Sequence, residues 1–247
     1  MNIQLQVENA LPPMHNLLLA ALSEPSRVQL AAHMTSEVVL LGSILCEPGE
    51  VFQKVYFPDD CLISELALTP QHLSLEIALI GSEGMLGCAV GLGQDVAHVR
   101  AVVQRAGTVS CISSSDFFTE FKRNNELRVL LHRYTDGMLE QVTQIALCSH
   151  YHLLEARLAR SLLTIRDRLQ SNTFHLTHEI MAHALGVRRV GVTKAASALQ
   201  TQNLISYSRG NIKIINPSGL SLASCSCYLA MKDSAQQVFS PTKSEIS

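Results

Sequence analysis

The segment 177–214 constrains the fold of this 247-residue chain more than any other part of the sequence. Thr177 can cap a short helix that runs through Leu185, and Gly186 follows at a point where the chain must turn sharply. A second helix is expected to begin near Arg188. Apolar residues on both stretches would hold the two helices together. The pattern therefore predicts a helix-turn-helix.

A β-hairpin is predicted directly after the second helix. Two short runs of β-forming residues, 203–207 and 212–215, flank the turn Ser208-Arg209-Gly210-Asn211. A hairpin in this position would form the wing of a winged helix-turn-helix. The alternative interpretation is an ordinary helical hairpin beside a small sheet.

The second helix would present basic residues at its N-terminal end, the end that meets base edges in a major groove. Arg189 is the best candidate for a bidentate contact to guanine, because the guanidinium fork matches the two acceptors on that base. Lys194 could reach a base or a phosphate, and Val190 could touch only a thymine methyl. Thr193 and Arg209 are expected on phosphate or sugar. The predicted contacts to double-stranded DNA are Arg188, Arg189, Val190, Thr193, Lys194 and Arg209.

Charge is distributed unevenly along the chain. The formal net charge is only -2, yet the stretch 152–215 carries nine basic and three acidic residues, a net +6, so the remainder is acidic, at -8. A basic module of this kind is typical of a domain that binds a polyanion. Its basic residues are Arg157, Arg160, Arg166, Arg168, Arg188, Arg189, Lys194, Arg209 and Lys213.

The stretch 38–112 has a different character. Its apolar runs are short and β-branched, and Gly, Pro, Asp and Ser separate them. We expect strands at 51–57, 73–80 and 99–104, joined in a compact antiparallel barrel or roll.

Helices follow from Ser115 onward. Between 126 and 151, apolar residues fall on two seven-residue tracks, as in a coiled coil, and such a helix would be about 39 Å long. A seam of this length predicts a homodimer, although a helix packed on its own barrel is the alternative. The predicted dimer contacts are Leu127, Leu131, Tyr134, Met138 and Ile145. An amphipathic helix is expected over 153–169, and the polar tail after Tyr228 is expected to be loosely ordered.

Taken in order along the chain, these features resemble the bacterial Crp/Fnr family of transcription regulators. The similarity covers nearly the whole length and is carried by Gly84-Met85-Leu86-Gly87, the long helix, Leu185-Gly186-Val187-Arg188-Arg189 and Gln202-Asn203-Leu204-Ile205. The resemblance implies an α+β fold: an N-terminal cyclic-nucleotide-binding-like β-roll, a dimerisation helix and a C-terminal winged helix-turn-helix. It also implies an effector-responsive homodimer that binds a two-fold operator near promoters, with RNA polymerase as a partner. The implied domains are 1–123, 124–151 and 152–230, followed by a tail at 231–247.

The sequence departs from the family pattern at the effector site. Family members that bind cyclic nucleotides carry a Gly-Glu pair for the ribose and an Arg-Ser or Arg-Thr pair for the cyclic phosphate. Here Cys88 follows Gly87, and His98 stands near the second pair, with no arginine before Arg100. Without these charge-assisted anchors we expect no binding of cyclic AMP, so the effector stays unassigned. The candidate effector pocket is Gly84, Gly87, Cys88, His98 and Arg100.

Two further departures concern iron-sulfur chemistry and operator sequence. Family members with an iron-sulfur cluster use cysteines near the N-terminus, and no cysteine precedes Cys46 here, so no sensing cluster is expected. The frequent Arg-Glu of the family's DNA-reading helix appears as Arg189-Val190. The carboxylate that accepts from cytosine is therefore missing, and we expect a different operator.

A metal-dependent barrel enzyme, or a sensor without DNA binding, is the rival interpretation. His178 and His183 are five residues apart, so they diverge by about 140° on a helix and do not form a zinc-protease motif. His150 and His152 form an HxH pair, but at a helix junction. The pair Cys225 and Cys227 is too small for a closed zinc site without outside ligands. We therefore expect no catalytic residues, no metal and no cofactor.

The sequence also predicts where in the cell the protein resides. No apolar run approaches the roughly 18 residues that span a bilayer, and the stretch 1–8 does not read as a secretory signal. Seven scattered cysteines do not form a disulfide framework, so reduced thiols are expected. The sequence predicts a cytoplasmic protein with no membrane partner.

Overall fold

The computed structural model describes residues 15–71 and 73–240. Several sequence-based expectations lie outside these residues. They are the interpretation of the stretch 1–8, Met14 at the start of a short helix that the sequence predicts over 14–22, His72 in a turn that it predicts over 69–72, and the end of the tail at 241–247. Within the described part, no helix is both long enough and apolar enough to cross a membrane.

The N-terminal half forms an antiparallel roll. Two short helices precede its strands, and a 3-10 turn at Cys88–Val90 lies between the fifth and sixth strands. Helices and strands in chain order are α1 Leu17–Ala20, α2 Glu24–Ala31, β1 Met34–Val39, β2 Ile44–Cys46, β3 Lys54–Pro58, β4 Leu62–Leu68, β5 Ser74–Ile80, β6 Arg100–Arg105 and β7 Gly107–Ser113.

Two sheets make up the roll, with strand orders β1-β7-β3 and β2-β6-β4-β5, and every pairing is antiparallel. Side chains from both sheets share one core, in which Phe57 is fully buried. The predicted strand 51–57 begins later, at Lys54, because Val51 forms an isolated bridge with Val96 on another loop. The predicted roll is confirmed, with shifted strand ends.

The C-terminal half is helical, with one small sheet. Its elements in chain order are α3 Ser114–Arg123, α4 Asn125–Tyr151, α5 Leu154–Leu169, β8 Thr173–His175, α6 His178–Leu185, α7 Arg189–Thr201, β9 Ile205–Ser208, β10 Asn211–Ile214, α8 Pro217–Ala223 and α9 Cys227–Gln237. Asn124 separates α3 from α4 because its side chain accepts from the backbone N–H of Leu127, which caps the new helix.

The predicted dimer seam of α4 lies inside the chain itself. The side chains of Leu127, Leu131 and Tyr134 are at most 8% exposed and belong to the core of the roll, and Met138 packs against that core. Ile145, on the same face of the helix, is also buried. A side chain without exposed surface has almost none to give to a partner subunit. Leu127, Leu131, Tyr134 and Ile145 therefore have little surface left for a dimer contact, whereas Met138 is only partly buried. The helix packs on its own roll.

Exposed apolar residues of α4 lie between about 60° and 200° around the helix from the buried face. Leu139 is 64% exposed, and Val142, Ala146 and Leu147 are also exposed. Leu139, Val142 and Ala146 follow each other at intervals of three and four residues, so they share one face of the helix. We call these four residues the outer strip of α4.

The tail after Tyr228 is ordered, contrary to expectation, as far as the structure describes it. Helix α9 lies along α4, and Val238 joins the core of the roll. A side chain on Gly137 would bring its Cβ within 3.1 Å of Val238 Cγ2, so Gly137 is the point where α9 approaches closely. Polarity misled the sequence analysis because only one face of α9 is buried.

Candidate nucleic-acid interface

The predicted helix-turn-helix is present and its ends carry the expected caps. The Thr177 side chain accepts from the backbone N–H of Ile180 at the start of α6. Gly186 ends that helix in the left-handed region, at φ +64°, which favours glycine. One face of α7 packs on α5 and α6 through Val192, Ala195, Ala196 and Leu199.

The other face of α7 is open to solvent. Arg189, Val190, Thr193 and Lys194 are all exposed. At about 100° per residue they occupy a continuous arc of roughly 140°, opposite the buried residues. Ser197 is exposed in the middle of this arc, one turn further along, and the sequence analysis did not include it. The helix therefore presents one contiguous polar and basic surface.

Electrostatics at the start of α7 favour an anion. Arg188 is the N-cap residue, Arg189 is the first residue of the helix, and the first turn holds no acidic residue. The free N–H groups and the helix dipole add positive potential at the same end. The exposed guanidinium groups therefore stand where a helix already attracts phosphate.

The wing is a three-stranded sheet of order β8-β10-β9. Strand β8 was not predicted, because at three residues it is too short to show an alternating pattern. Arg209 and Gly210 at the hairpin turn have φ of +50° and +84°, the signs of a type I′ turn. A Cβ on Gly210 would come within 2.5 Å of the His175 ring. Arg209 lies exposed at the tip, as the DNA-contact prediction requires.

A cluster that the sequence analysis missed connects the wing to α7. The His178 ring stacks on the Tyr207 ring of β9, with centroids 4.1 Å apart, and its Nδ1 lies 3.0 Å from Thr193 Oγ1. The Thr193 hydroxyl donates to the carbonyl of Arg189. Burial, then the charge of Arg189, lowers the pKa of His178. In the sequence His178 stands out only as a candidate metal ligand, and no local pattern connects it with Tyr207 or Thr193.

The basic module contributes less exposed charge than its composition indicated. Arg157 and Arg160 are buried, and Arg157 donates to the carbonyl of Leu185 at the end of α6. Arg166 pairs with Asp167, and Arg168 with Glu83 of the roll. The five basic residues that stay exposed on the winged domain are Arg188, Arg189, Lys194, Arg209 and Lys213. All of them lie on α7, its N-cap or the wing.

The roll contacts the back of the helix-turn-helix. Ser74 Oγ donates to the carbonyl of His183 at 3.2 Å and lies 3.1 Å from His183 Nδ1. A Cβ on Gly186 would lie 3.2 Å from Leu75 Cδ1 of β5. The turn of the motif is thus held against the roll, and this contact leaves the exposed face of α7 free.

The predicted effector residues have separate environments. Gly84 lies under Tyr134, whose hydroxyl would be 2.6 Å from an added Cβ, and Gly87 has a φ of +91°. The Cys88 thiol lies 3.6 Å from Met138 Sδ on α4. His98 is exposed, and Arg100 forms a two-point ion pair with Glu47. The guanidinium of Arg100 therefore already has a carboxylate partner.

Glu65 is a buried carboxyl in the roll that the sequence analysis did not single out. It lies on the same face of β4 as the core residue Ile63, and burial raises the pKa of Glu65 to about 7. The neighbouring Cys46 and Cys88 thiols stay neutral at the pH where Glu65 titrates, because burial raises their pKa values to about 11 and about 12. Tyr134 also stays neutral, since burial raises its pKa well above its ordinary value.

This carboxyl predicts a pH-dependent stability. In the unfolded chain Glu65 ionises above pH 4.5, whereas the folded chain keeps the proton up to about pH 7. The folded state is therefore favoured at low pH, and this advantage is lost as the pH rises from 4.5 through 7. Relative to the wild type, we expect Glu65→Gln, which cannot ionise, to gain about 3 kcal/mol of stability between pH 4.5 and pH 8.

Urea unfolding at both pH values measures this difference. Glu140→Gln on the exposed surface of α4 is the control and should show no such gain. Equal pH profiles for wild type and Glu65→Gln would contradict the assignment.

The histidines and cysteines that the sequence offers as metal ligands lie in different places in the structure, and only some of them come together. His178 stacks on Tyr207, whereas His183 contacts Ser74, so this pair diverges as expected. His150 is exposed. His152, by contrast, lies beside Cys227, and Cys225 lies beside Cys148 of α4. The structure thus supplies the two outside ligands that the Cys225 and Cys227 pair lacks in the sequence.

Comparison with known proteins agrees with this architecture. The family model for a Crp-like helix-turn-helix domain matches residues 156–222. FixK2 from Bradyrhizobium japonicum is similar in structure, at 17% identity and a TM-score of 0.69, over 78% of this chain and 98% of that chain. A Crp/Fnr-family protein from Eubacterium rectale gives 16% and 0.66, over 83% and 96%. The c-di-GMP-responsive regulator CLP from Xanthomonas campestris gives 15% and 0.64, over 78% and 99%.

No curated protein matches the chain. At these identities the similar structures show a shared fold, while the family model shows the kind of domain at the C-terminal end. The roll, the long helix and the winged domain follow each other here in the order that the resemblance implied. The chain therefore contains a Crp-like helix-turn-helix domain at residues 156–222, and it shares its overall fold with solved structures that include a Crp/Fnr-family protein.

Proposed function

We propose that the protein acts as a homodimer that binds an inverted-repeat operator and regulates transcription. The observation that carries this proposal is the exposed face of α7, with Arg189 and Lys194 on one arc and no acidic residue in the first turn. A recognition helix of this composition fits the major groove of a duplex. Arg209 at the wing tip would contact the adjacent backbone.

The exposed residues take different roles in this proposal. Arg189 donates to guanine O6 and N7, Lys194 reaches a base or a phosphate, and Val190 can contact a thymine methyl. Arg188 and Arg209 contact phosphate. Thr193 already donates its hydroxyl to the carbonyl of Arg189, so we assign it chiefly a positioning role at the start of α7.

Dimerisation is proposed through the outer strip of α4. Four exposed apolar residues on a 27-residue helix are a surface that a second copy of the helix would bury. Two subunits joined in this way would place their recognition helices about 34 Å apart, in successive major grooves on one side of the duplex. This spacing requires a two-fold symmetric operator. The domains would then act as roll 1–123, dimer helix 124–151 and winged domain 152–230.

An effector and RNA polymerase complete the proposal as partners. The pairing of Arg100 with Glu47, and Cys88 in place of a carboxylate, argue against cyclic AMP as the effector. An operator near a promoter would bring the regulator next to RNA polymerase. No catalytic role is proposed for any residue.

Selection of bound fragments from the source genome tests the proposal. The purified full chain should enrich fragments that share one inverted repeat, and the presence or absence of cell extract should reveal an effector. Three exposed basic residues per subunit, Arg188, Lys194 and Arg209, are assigned to phosphate or could reach it, so affinity should fall with salt with a logarithmic slope of up to about -5. Retention of random fragments only, at low salt, would reject a sequence-specific regulator.

A further inference from the structure

Three cysteines and one histidine meet at the junction between α4 and the winged domain. Cys148 lies in the last turn of α4, and His152 is the residue that follows this helix. Cys225 lies between α8 and α9, and Cys227 is the first residue of α9. One ligand atom from each of the four side chains lies within 4.8 Å of all the others. Within the described part of the chain, the cluster joins two segments about 75 residues apart.

Two of the six distances between the ligand atoms are close to the edges of a tetrahedron around one ion, and all six are within 4.8 Å. Cys148 Sγ and Cys225 Sγ are 3.5 Å apart, and Cys227 Sγ and His152 Nδ1 are also 3.5 Å apart. Zinc bonds of about 2.3 Å to sulfur and about 2.0 Å to nitrogen give tetrahedral edges of about 3.8 Å and 3.6 Å. A multi-iron cluster would hold its ligands further apart. Three thiols and one imidazole form the Cys₃His ligand set that structural zinc sites use.

Burial and charge around the cluster also fit a metal. The three cysteines are each at most 7% exposed and pack together with Ala156. Zinc with three thiolates and a neutral imidazole carries a net charge of -1, which needs a nearby cation in a buried place. Arg160 is buried beside the cluster, its Nε has no hydrogen-bond partner, and no ion pair with a carboxylate is found for it among the described residues.

We propose that Cys148, His152, Cys225 and Cys227 form a zinc site that ties the end of α4 to the start of α9 and the residues just before it. With four protein ligands the site is closed, so its role is structural and not catalytic. Helix α8 packs on α5 of the winged domain, and α9 packs on both α4 and α5. Zinc would therefore set the angle between the long helix and the winged domain. This last consequence rests on the proposed function, whereas metal binding itself does not.

A disulfide between Cys148 and Cys225 is the competing use of the same thiols. Forming it would move the sulfurs from 3.5 Å to about 2.05 Å and would pass two electrons to an oxidant, with release of two protons. It would leave Cys227 and His152 without a role. The position of His152 Nδ1 next to a thiol favours the metal.

Cobalt substitution tests the site directly. The full-length chain, reduced and freed of metal, should bind about one Co²⁺ per chain with the intense visible absorption of a tetrahedral thiolate site, and Zn²⁺ should displace it. We expect Cys225→Ser, Cys227→Ser and His152→Ala to weaken zinc binding by about 100-fold or more. The loss of a residue that only hydrogen-bonds to a metal ligand already lowers metal affinity by about 10- to 100-fold, and the loss of a ligand itself should cost more. Cys227→His, which keeps a ligand, should retain most of the binding.

Matched controls remove only residues outside the cluster. His150→Ala changes the exposed histidine two residues away, and Cys111→Ser changes a buried cysteine of the roll that has Thr35 as a polar neighbour. Both should bind cobalt as the wild type does. Octahedral cobalt spectra in the wild type, undiminished binding in Cys225→Ser and His152→Ala, or a Cys148–Cys225 disulfide that persists in reductant would each overturn the proposal. Circular dichroism identifies any variant that fails to fold, and Cys227→His then decides the outcome.

A second arm separates this proposal from the proposed function. Operator affinity should fall by about tenfold or more when the zinc is chelated, and it should return on addition of Zn²⁺. Metal binding without any change in operator affinity would reject control of the domain angle. If neither the zinc-loaded nor the metal-free protein binds any duplex, the proposed function is rejected. The cobalt spectrum would still decide whether the metal site exists.

Discussion

Arg189→Ala is expected to lower affinity for the cognate operator by about 2–6 kcal/mol per dimer. One guanidinium that reads guanine contributes about 1–3 kcal/mol, and a two-fold complex loses two of them. Arg189 is exposed on α7, and no ion pair with a carboxylate is found for it among the described residues, so its removal should leave the fold intact. The loss should be largest on the selected operator and small on random DNA. Titrations of both duplexes at one salt concentration measure the difference.

Two controls distinguish base reading from general charge. Arg209→Ala at the wing tip should weaken all sequences by a similar factor and lower the salt slope, because a phosphate contact carries no sequence information. Arg123→Ala, at the exposed end of α3, should change neither the affinity for DNA nor its salt slope. Equal losses on operator and random DNA for Arg189→Ala would remove its role in base recognition.

Leu139→Glu is expected to convert the proposed dimer into a monomer. Leu139 is 64% exposed at the N-terminal end of the outer strip, and a two-fold axis near this residue would place two new carboxylates close together. The mass in solution should fall to that of one chain, 27.0 kDa. Operator affinity should fall by about 100-fold or more, since a monomer loses the gain from binding two linked half-sites. Light scattering and operator titration provide the two readouts.

Val38→Glu is the matched control for this change. Val38 is an equally exposed aliphatic residue, but on β1 of the roll, and its substitution should leave both mass and affinity unchanged. A dimer that survives Leu139→Glu would show that subunits meet elsewhere. The buried residues Leu127 and Leu131 are unsuitable for this test, because their substitution would damage the core of the roll.

The winged domain could be predicted from the sequence because its signals are local. Thr177 caps α6 by accepting from the backbone N–H of Ile180, three residues ahead. Gly186 ends the helix in the left-handed conformation that few other residues tolerate. The alternation of buried and exposed residues on α7 follows from one helical period. Interactions within a few residues thus determine these elements, and the exposed position of Arg189 follows from the same period.

Long-range packing decided what the sequence could not. Apolar residues lie on more than one face of α4, so periodicity alone could not tell which face the chain buries. Only the approach of the roll and of α9 at Gly137 assigns Leu127 and Tyr134 to the core and leaves Leu139 outside. Cys148 and Cys225 are 77 positions apart, and no local pattern connects them. The sequence by itself determined the winged domain, because its contacts are short in range, whereas tertiary packing alone selected the outer strip and assembled the cysteine cluster.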